Sequence, residues 1–191
     1  TPAHAASTVD VTVANQENQT GKLVAAYEFR NAPTLSSITI NGGSIFGGAL
    51  VTLAGTNFFG PVTVLFDTAT GTAPTVVNST TITVTTPAHI AGAVTVRVTN
   101  ADGQFVDLAS GYTYRVAPTI TANATPFFGP VTGGAGITIT GADFMSGATV
   151  KVGNATAASV SFVSPTQLLA TTAADVAGQA TITVTNPDLQ F

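Results

Sequence analysis

The chain repeats itself, and that limits the fold to a unit that can be strung in tandem. The stretch TPAHAASTVDVTVANQENQ from Thr1 returns as TPAHIAGAVTVRVTNADGQ from Thr86 and as TAADVAGQATITVTNPDLQ from Thr172, at spacings of 85 and 86 residues without internal gaps. Tyr27-Glu28-Phe29-Arg30 pairs with Tyr112-Thr113-Tyr114-Arg115, and Ala32-Pro33-Thr34 with Ala117-Pro118-Thr119. In the front halves Gly47-Gly48 pairs with Gly133-Gly134, and Gly55-Thr56-Asn57-Phe58 with Gly141-Ala142-Asp143-Phe144. The 191 residues therefore read as the C-terminal half of a repeat (1–32), a complete repeat (33–116, repeat one) and a repeat lacking its closing strand (117–191, repeat two). The joints Asn31-Ala32-Pro33 and Val116-Ala117-Pro118 are short. Their prolines fix φ and restrict the residue before, so a stiff rod with a narrow range of inter-repeat angles is expected.

Inside each repeat the apolar residues alternate. Val51 and Leu53 correspond to Ile137 and Ile139, Val64 and Phe66 to Val150 and Val152, Ile82 and Val84 to Leu168 and Ala170. Val94, Val96 and Val98 correspond to Val9, Val11 and Val13 and to Ala180, Ile182 and Val184. Period two places one set on a buried face and the intervening Thr52, Thr63, Thr83, Thr95, Arg97 and Thr99 outside. Tyr112 and Tyr114, and likewise Tyr27 and Phe29, are expected to point inward on a closing strand. Asn100-Ala101-Asp102-Gly103 reads as a hairpin turn, since Asp and Gly tolerate left-handed backbone. No window sustains a 3.6 period. The fold class is all-β, and a unit of about 85 residues is close to the ~100 of an immunoglobulin-type sandwich.

Composition narrows the function classes. Only 7% of residues are charged, against about 25% in ordinary soluble domains. Lys22, Arg30, Arg97, Arg115 and Lys151 are the five cations and do not cluster, and the net charge is −4. A nucleic-acid partner needs a basic face to displace counterions, so none is expected. There is no cysteine, hence no disulfide and no thiolate-bound zinc. No run approaches the roughly 18 apolar residues of a membrane-spanning helix, so no membrane insertion is expected.

Several of these features together resemble the IPT/TIG family, an immunoglobulin-like fold shared by plexins and certain transcription factors. They are Pro118-Thr119-Ile120, Gly133-Gly134, Ile137-Thr138-Ile139-Thr140-Gly141 with Asp143-Phe144, Val94 to Thr99 with Asp102-Gly103, and Tyr112-Thr113-Tyr114. The same marks stand in repeat one at Gly47-Gly48, Val51 to Gly55 and Asn57-Phe58. The resemblance implies tandem IPT/TIG β-sandwiches. Fold alone does not select a role within that family. Tandem repetition with a charge-poor, Thr/Ala/Gly-rich surface looks most like bacterial surface arrays.

The residues with chemistry are few. His4 and His89 share one repeat position, held by Asp175 in the third copy, and read as loop residues. Asn100, Asp102, Asn186 and Asp188 recur in a turn that supplies one carboxylate per repeat, which favours turn chemistry over calcium. FFGPVT occurs twice, at Phe58 to Thr63 and at Phe127 to Thr132, out of phase with the repeat. Phe58 reads as core. Phe59, Phe127 and Phe128 are candidate interaction residues, able to plug a sandwich end or joint, meet another chain, or stack on a sugar. Asn18, Asn78, Asn123 and Asn154 open N-x-Thr triplets that a Thr-rich chain produces by chance. No catalytic, cofactor-binding or metal-binding residue is assigned, and no enzyme activity or cofactor is expected. The expected role is a structural or adhesive module on a bacterial cell surface or fibre, extracellular, with other copies or neighbouring repeats as partners and a protein or glycan ligand in addition. The alternative is a carbohydrate-associated binding module of a secreted enzyme.

Two aromatics on a closing strand bury roughly 150–250 Å² each, so a repeat without that strand exposes core and a strand edge. Either the natural chain continues beyond Phe191, or a second chain completes the sandwich. In the latter case Leu23, Tyr27 and Phe29, on the strand Leu23 to Arg30, are expected to insert beside Ala180 to Thr185 of the next molecule. One difficulty is that residues 1–20 duplicate the strand already present at 172–191.

Overall fold

The structure, a computed structural model, describes residues 2–191, and every regular element among them is a β-strand. Residues 2–32 contain a two-stranded antiparallel hairpin, β1 (Ser7–Ala14) with β2 (Thr20–Phe29).

Repeat one contains nine strands: β3 (Thr34–Thr39), β4 (Gly42–Ser44), β5 (Leu50–Thr56), β6 (Thr63–Phe66), β7 (Ala69–Thr70), β8 (Thr72–Asn78), β9 (Thr81–Thr85), β10 (Gly92–Thr99) and β11 (Phe105–Arg115). They form two sheets, in the orders β3-β5-β9-β8 and β4-β11-β10-β6-β7. β4 runs parallel to β11, and the other pairs are antiparallel. The alternation of the sequence becomes the inner faces of the two sheets. Val51, Leu53, Val64, Phe66, Ile82, Val84, Val96, Val98, Tyr112 and Tyr114 are all at most 1% exposed. Phe66 meets Tyr112 edge-on at 5.5 Å between ring centroids and Tyr114 at 6.3 Å.

Repeat two contains β12 (Thr119–Ile120), β13 (Gly136–Ala142), β14 (Thr149–Val152), β15 (Ala155–Thr156), β16 (Ser159–Ser164), β17 (Gln167–Thr171) and β18 (Ile182–Thr185). Its sheets run β12-β13-β17-β16 and β15-β14-β18. The last strand starts at Ile182, not at the expected Ala180. Ile139, Phe144, Val150 and Leu168 centre a separate core.

The shared motifs have local causes. Asn57 and Asp143 sit at φ +59, where short polar side chains are tolerated. A Cβ on Gly55 would lie 1.9 Å from the Thr34 carbonyl and 2.5 Å from the Phe58 ring, and one on Gly141 would meet Thr119 and Phe144 in the same way. The motif Gly-x-Asn/Asp-Phe thus seats a core aromatic against a bare glycine. Thr86 accepts the Ala49 N–H on Oγ1 at 3.1 Å, and Thr172 does the same for Ala135 at 3.2 Å, which ties the double-glycine loop to the next.

One expectation fails in the hairpin. Tyr27 does not point into a core: it is 43% exposed, and Phe29 is half-buried. Tyr27 lies edge-on to Phe29 at 4.9 Å, and His4 stacks on Phe29 at 4.8 Å. The strand phase is as expected, but a two-stranded sheet has no second layer to cover its apolar face.

Candidate functional site

The features that recur with the repeat lie at the joints. At the first, a cleft of about 370 Å³ is lined by Ala6, Phe29, Arg30, Asn57, Phe58, Phe59 and Ser79, among others. The guanidinium of Arg30 sits 4.1 Å over the Phe59 ring and pairs with Glu28. A guanidinium over an aromatic face is attracted to its quadrupole, worth about 0.5–1 kcal/mol at exposed sites. Asn57 donates from Nδ2 to the Ala32 carbonyl at 2.9 Å, and Gln104 donates from Nε2 to the Arg30 carbonyl at 3.2 Å. Gln104 also donates to Asp102 at 2.7 Å. Burial would raise the Asp102 carboxyl, but the bonds from Gln104 and the nearby Arg30 charge win and hold it below the usual carboxylate range. Arg30 and its neighbours thus bind the half-repeat to two loops of repeat one.

At the second joint a cleft of about 280 Å³ is lined by Ala91, Tyr114, Arg115, Asp143, Phe144, Met145 and Pro165, with Val116. These are the counterparts of Ala6, Phe29, Arg30, Asn57, Phe58, Phe59 and Ser79, with Asn31. The lining positions and the φ of +59 at Asn57 and Asp143 recur, but the locking chemistry does not. Asp143 replaces Asn57 and has no N–H to donate. Met145 offers no ring, and Arg115 lies against Gly42 of its own repeat.

Phe59 is therefore half-buried beneath Arg30 and serves the joint. Phe127 and Phe128 do not plug a joint or a sandwich end: they are 79% and 74% exposed and lie edge-on to each other at 5.3 Å. Leu23 is exposed on β2 with Tyr27. His89 stacks on Tyr114 at 5.1 Å with Nε2 3.8 Å from Asp67. Asp175 instead accepts the Asn154 N–H at 3.1 Å. Among the described residues no group of three or more His, Cys, Asp or Glu is arranged to hold a metal, and no helix is long and apolar enough to cross a membrane.

Sequence reasoning missed the role of Asn100 and Asn186, which it assigned to their turns. Both are buried. Asn100 donates to the Asn57 carbonyl at 2.8 Å and accepts from Phe59 N–H at 3.3 Å, and Asn186 does the same with Asp143 at 2.8 Å and Met145 at 3.1 Å. Each amide pins its hairpin to the loop that builds the joint. Their recurrence at one repeat position was the available signal.

A sequence model of the "IPT/TIG domain" matches residues 33–114 and again 118–191. The chain belongs to the IPT/TIG family. Among solved structures these IPT/TIG repeats resemble the plexin A4 extracellular region: in one structure the identity is 22% and the TM-score 0.53, over 87% of this chain and 18% of that one. A second plexin A4 structure gives 19% and 0.49, over 93% and 16%. A surface glycan-binding protein of Bacteroides ovatus, in complex with a mixed-linkage heptasaccharide, gives 17% and 0.39, over 95% of this chain and 47% of that one. The chain thus spans under a fifth of the plexin chains it matches. A comparison with curated proteins finds no match. At these identities the likeness is one of fold.

Proposed function

We propose that the chain is a stiff spacer and assembly module of an extracellular bacterial surface protein, built from a half-repeat (1–32), a complete IPT/TIG repeat (33–116) and a repeat without its closing strand (117–191). The observation that carries this reading is that equivalent positions of the repeat line a cleft at both boundaries. Joints placed at the same positions of each repeat are how a tandem array acquires a defined course. The charge-poor composition, 7% charged residues, accords with a structural role. Small-angle scattering of the 191-residue chain should fit a single extended shape, and a broad distribution of compact shapes would overturn the reading.

The exposed Phe127–Phe128 pair favours a second reading, a carbohydrate-associated binding module of a secreted enzyme. Exposed aromatic faces stack on sugar rings. Binding on a glycan array that disappears in a Phe127→Ala/Phe128→Ala variant would support it, and an array without binding would sink it.

A further inference from the structure

One of the two sheets of repeat one carries neither charge nor aromatic ring. Its strands β3, β5, β8 and β9 contain no Asp, Glu, Lys, Arg or His and no Phe, Tyr or Trp. The opposite sheet presents Arg97 and Asp107, paired at 2.7 Å, with the Arg97 guanidinium over the Phe105 ring. All four uncharged strands lie within the complete repeat, in the order β3-β5-β9-β8. Their inward residues Val51, Leu53, Ile82 and Val84 are fully buried. Period two turns the residues between them outward, and most of those are threonine.

The threonines stand on a grid. Across the sheet Thr39 is opposite Thr52, Thr52 opposite Thr83, and Thr83 opposite Thr75, one on each of the four strands. Along β9 Thr81, Thr83 and Thr85 form a file. Thr39 and Thr75 are exposed, while Thr52, Thr81, Thr83 and Thr85 are half-buried among their neighbours. A β-branched side chain is stiff at χ1, so packing side by side fixes where each hydroxyl and methyl points. In repeat two the corresponding sheet is also uncharged, but its row is broken. The equivalent positions run Thr125, Thr138, Leu169 and Ser161.

The chemistry of the face excludes most partners. Without cations it has nothing to neutralise phosphates. Without a ring it has no platform for a sugar. Without aromatic or Arg anchors it lacks what dominates protein interfaces. What it does offer is neutral hydroxyls and methyls at two regular spacings. Neighbouring strands stand about 4.7–4.9 Å apart, and alternate residues along a strand about 6.4–6.8 Å. These lie near the two repeats of water oxygens on the prism faces of ice. We infer that this face of repeat one binds ice. The hydroxyls take places in the lattice, and the methyls hold ordered water between them. Threonine loses little rotamer freedom on binding, unlike the long charged side chains it displaces here. Twist rotates successive strands by about 20–25°, so β5 and β9 with their nearest partners make the contact, a patch sized for a modest effect. The activity is additional to the spacer reading and independent of it.

The test uses the whole chain. A fluorescently labelled sample should enter a slowly growing ice hemisphere, and the unlabelled chain should shape ice crystals and open a small gap between melting and freezing. Thr83→Lys puts a charge at the crossing of row and file, and should reduce both effects to the level of an inert protein without unfolding repeat one. Thr39→Lys and Thr75→Lys, at the exposed ends of the row, should each weaken them and keep the test open if Thr83→Lys does not fold. Thr63→Lys, exposed on the opposite sheet, should change neither. Exclusion of the parent chain from ice overturns the inference. So does uptake that survives Thr83→Lys, or that Thr63→Lys abolishes equally. Mass that rises with concentration in sedimentation and collapses in Thr83→Lys, with no ice uptake, would assign the face to a second copy instead.

Discussion

At the scale of single residues, repeat one has little tolerance at its centre. Val96 is fully buried between Phe66 and Leu108 in its sheet. An unpaired carboxylate there costs several kcal/mol against a total of about 5–15. Val96→Asp should therefore unfold repeat one, and a variant melting within a few degrees of the parent would contradict this packing. The hydroxyls of Tyr112 and Tyr114 are buried without a hydrogen-bond partner, and burial raises both phenols above their ordinary value. A phenol whose folded pKa is raised stabilises the fold fully below its unfolded value near pH 10 and loses that contribution as pH climbs toward the folded value. Repeat one should unfold in base with coupled phenolate absorbance, and Tyr112→Phe with Tyr114→Phe should shift that midpoint upward. An unchanged midpoint would count against it. Asn100→Ala strands the Asn57 carbonyl and the Phe59 N–H and should cost about 1–3 kcal/mol. Asn15, its counterpart in the half-repeat, turns its amide onto its own exposed turn through Gln19 and Glu17, so Asn15→Ala should stay within about 0.5 kcal/mol.

At the scale of elements, the two joints share their lining positions and differ in the contacts across them. The first is tied by Asn57 to the Ala32 carbonyl, by Gln104 to the Arg30 carbonyl, and by Arg30 over Phe59. Asp143 and Met145 cannot reproduce the first and third of these ties. Asn57→Asp is the direct test, because Asp143 shows that aspartate accepts the same φ of +59. Inter-domain residual dipolar couplings should then report a wider range of angles at the first joint with little change in melting temperature. A range no wider than the parent's would mean that the proline-containing path alone sets the angle. The short linkers, legible in the sequence, thus describe both joints equally, whereas the contacts across them do not.

At the scale of the whole molecule the described residues form two separate cores. Fifteen buried apolar residues form the core of repeat one and nine that of repeat two. Calorimetry should resolve two transitions, the earlier from repeat two, where Val152 stands in place of Phe66 and no tyrosine pair closes the sheet. A single cooperative transition would show that the joint couples the repeats more strongly than its contacts suggest. The fold class, the repeat, the strand phase and the core of repeat one were determined by the sequence itself, because a side-chain period of two and a recurring turn are local properties of a pleated strand. The glycine beside a core phenylalanine was visible as a motif, though not its cause. The exposure of Tyr27, the cover of Phe59 by Arg30, the amide pins of Asn100 and Asn186, and the divided fate of His89 and Asp175 were decided only by tertiary structure. Each depends on which group stands opposite, on another strand or loop up to 43 residues away for Asn100 and Asn57, and a periodic pattern states which face a residue takes but not what that face will meet.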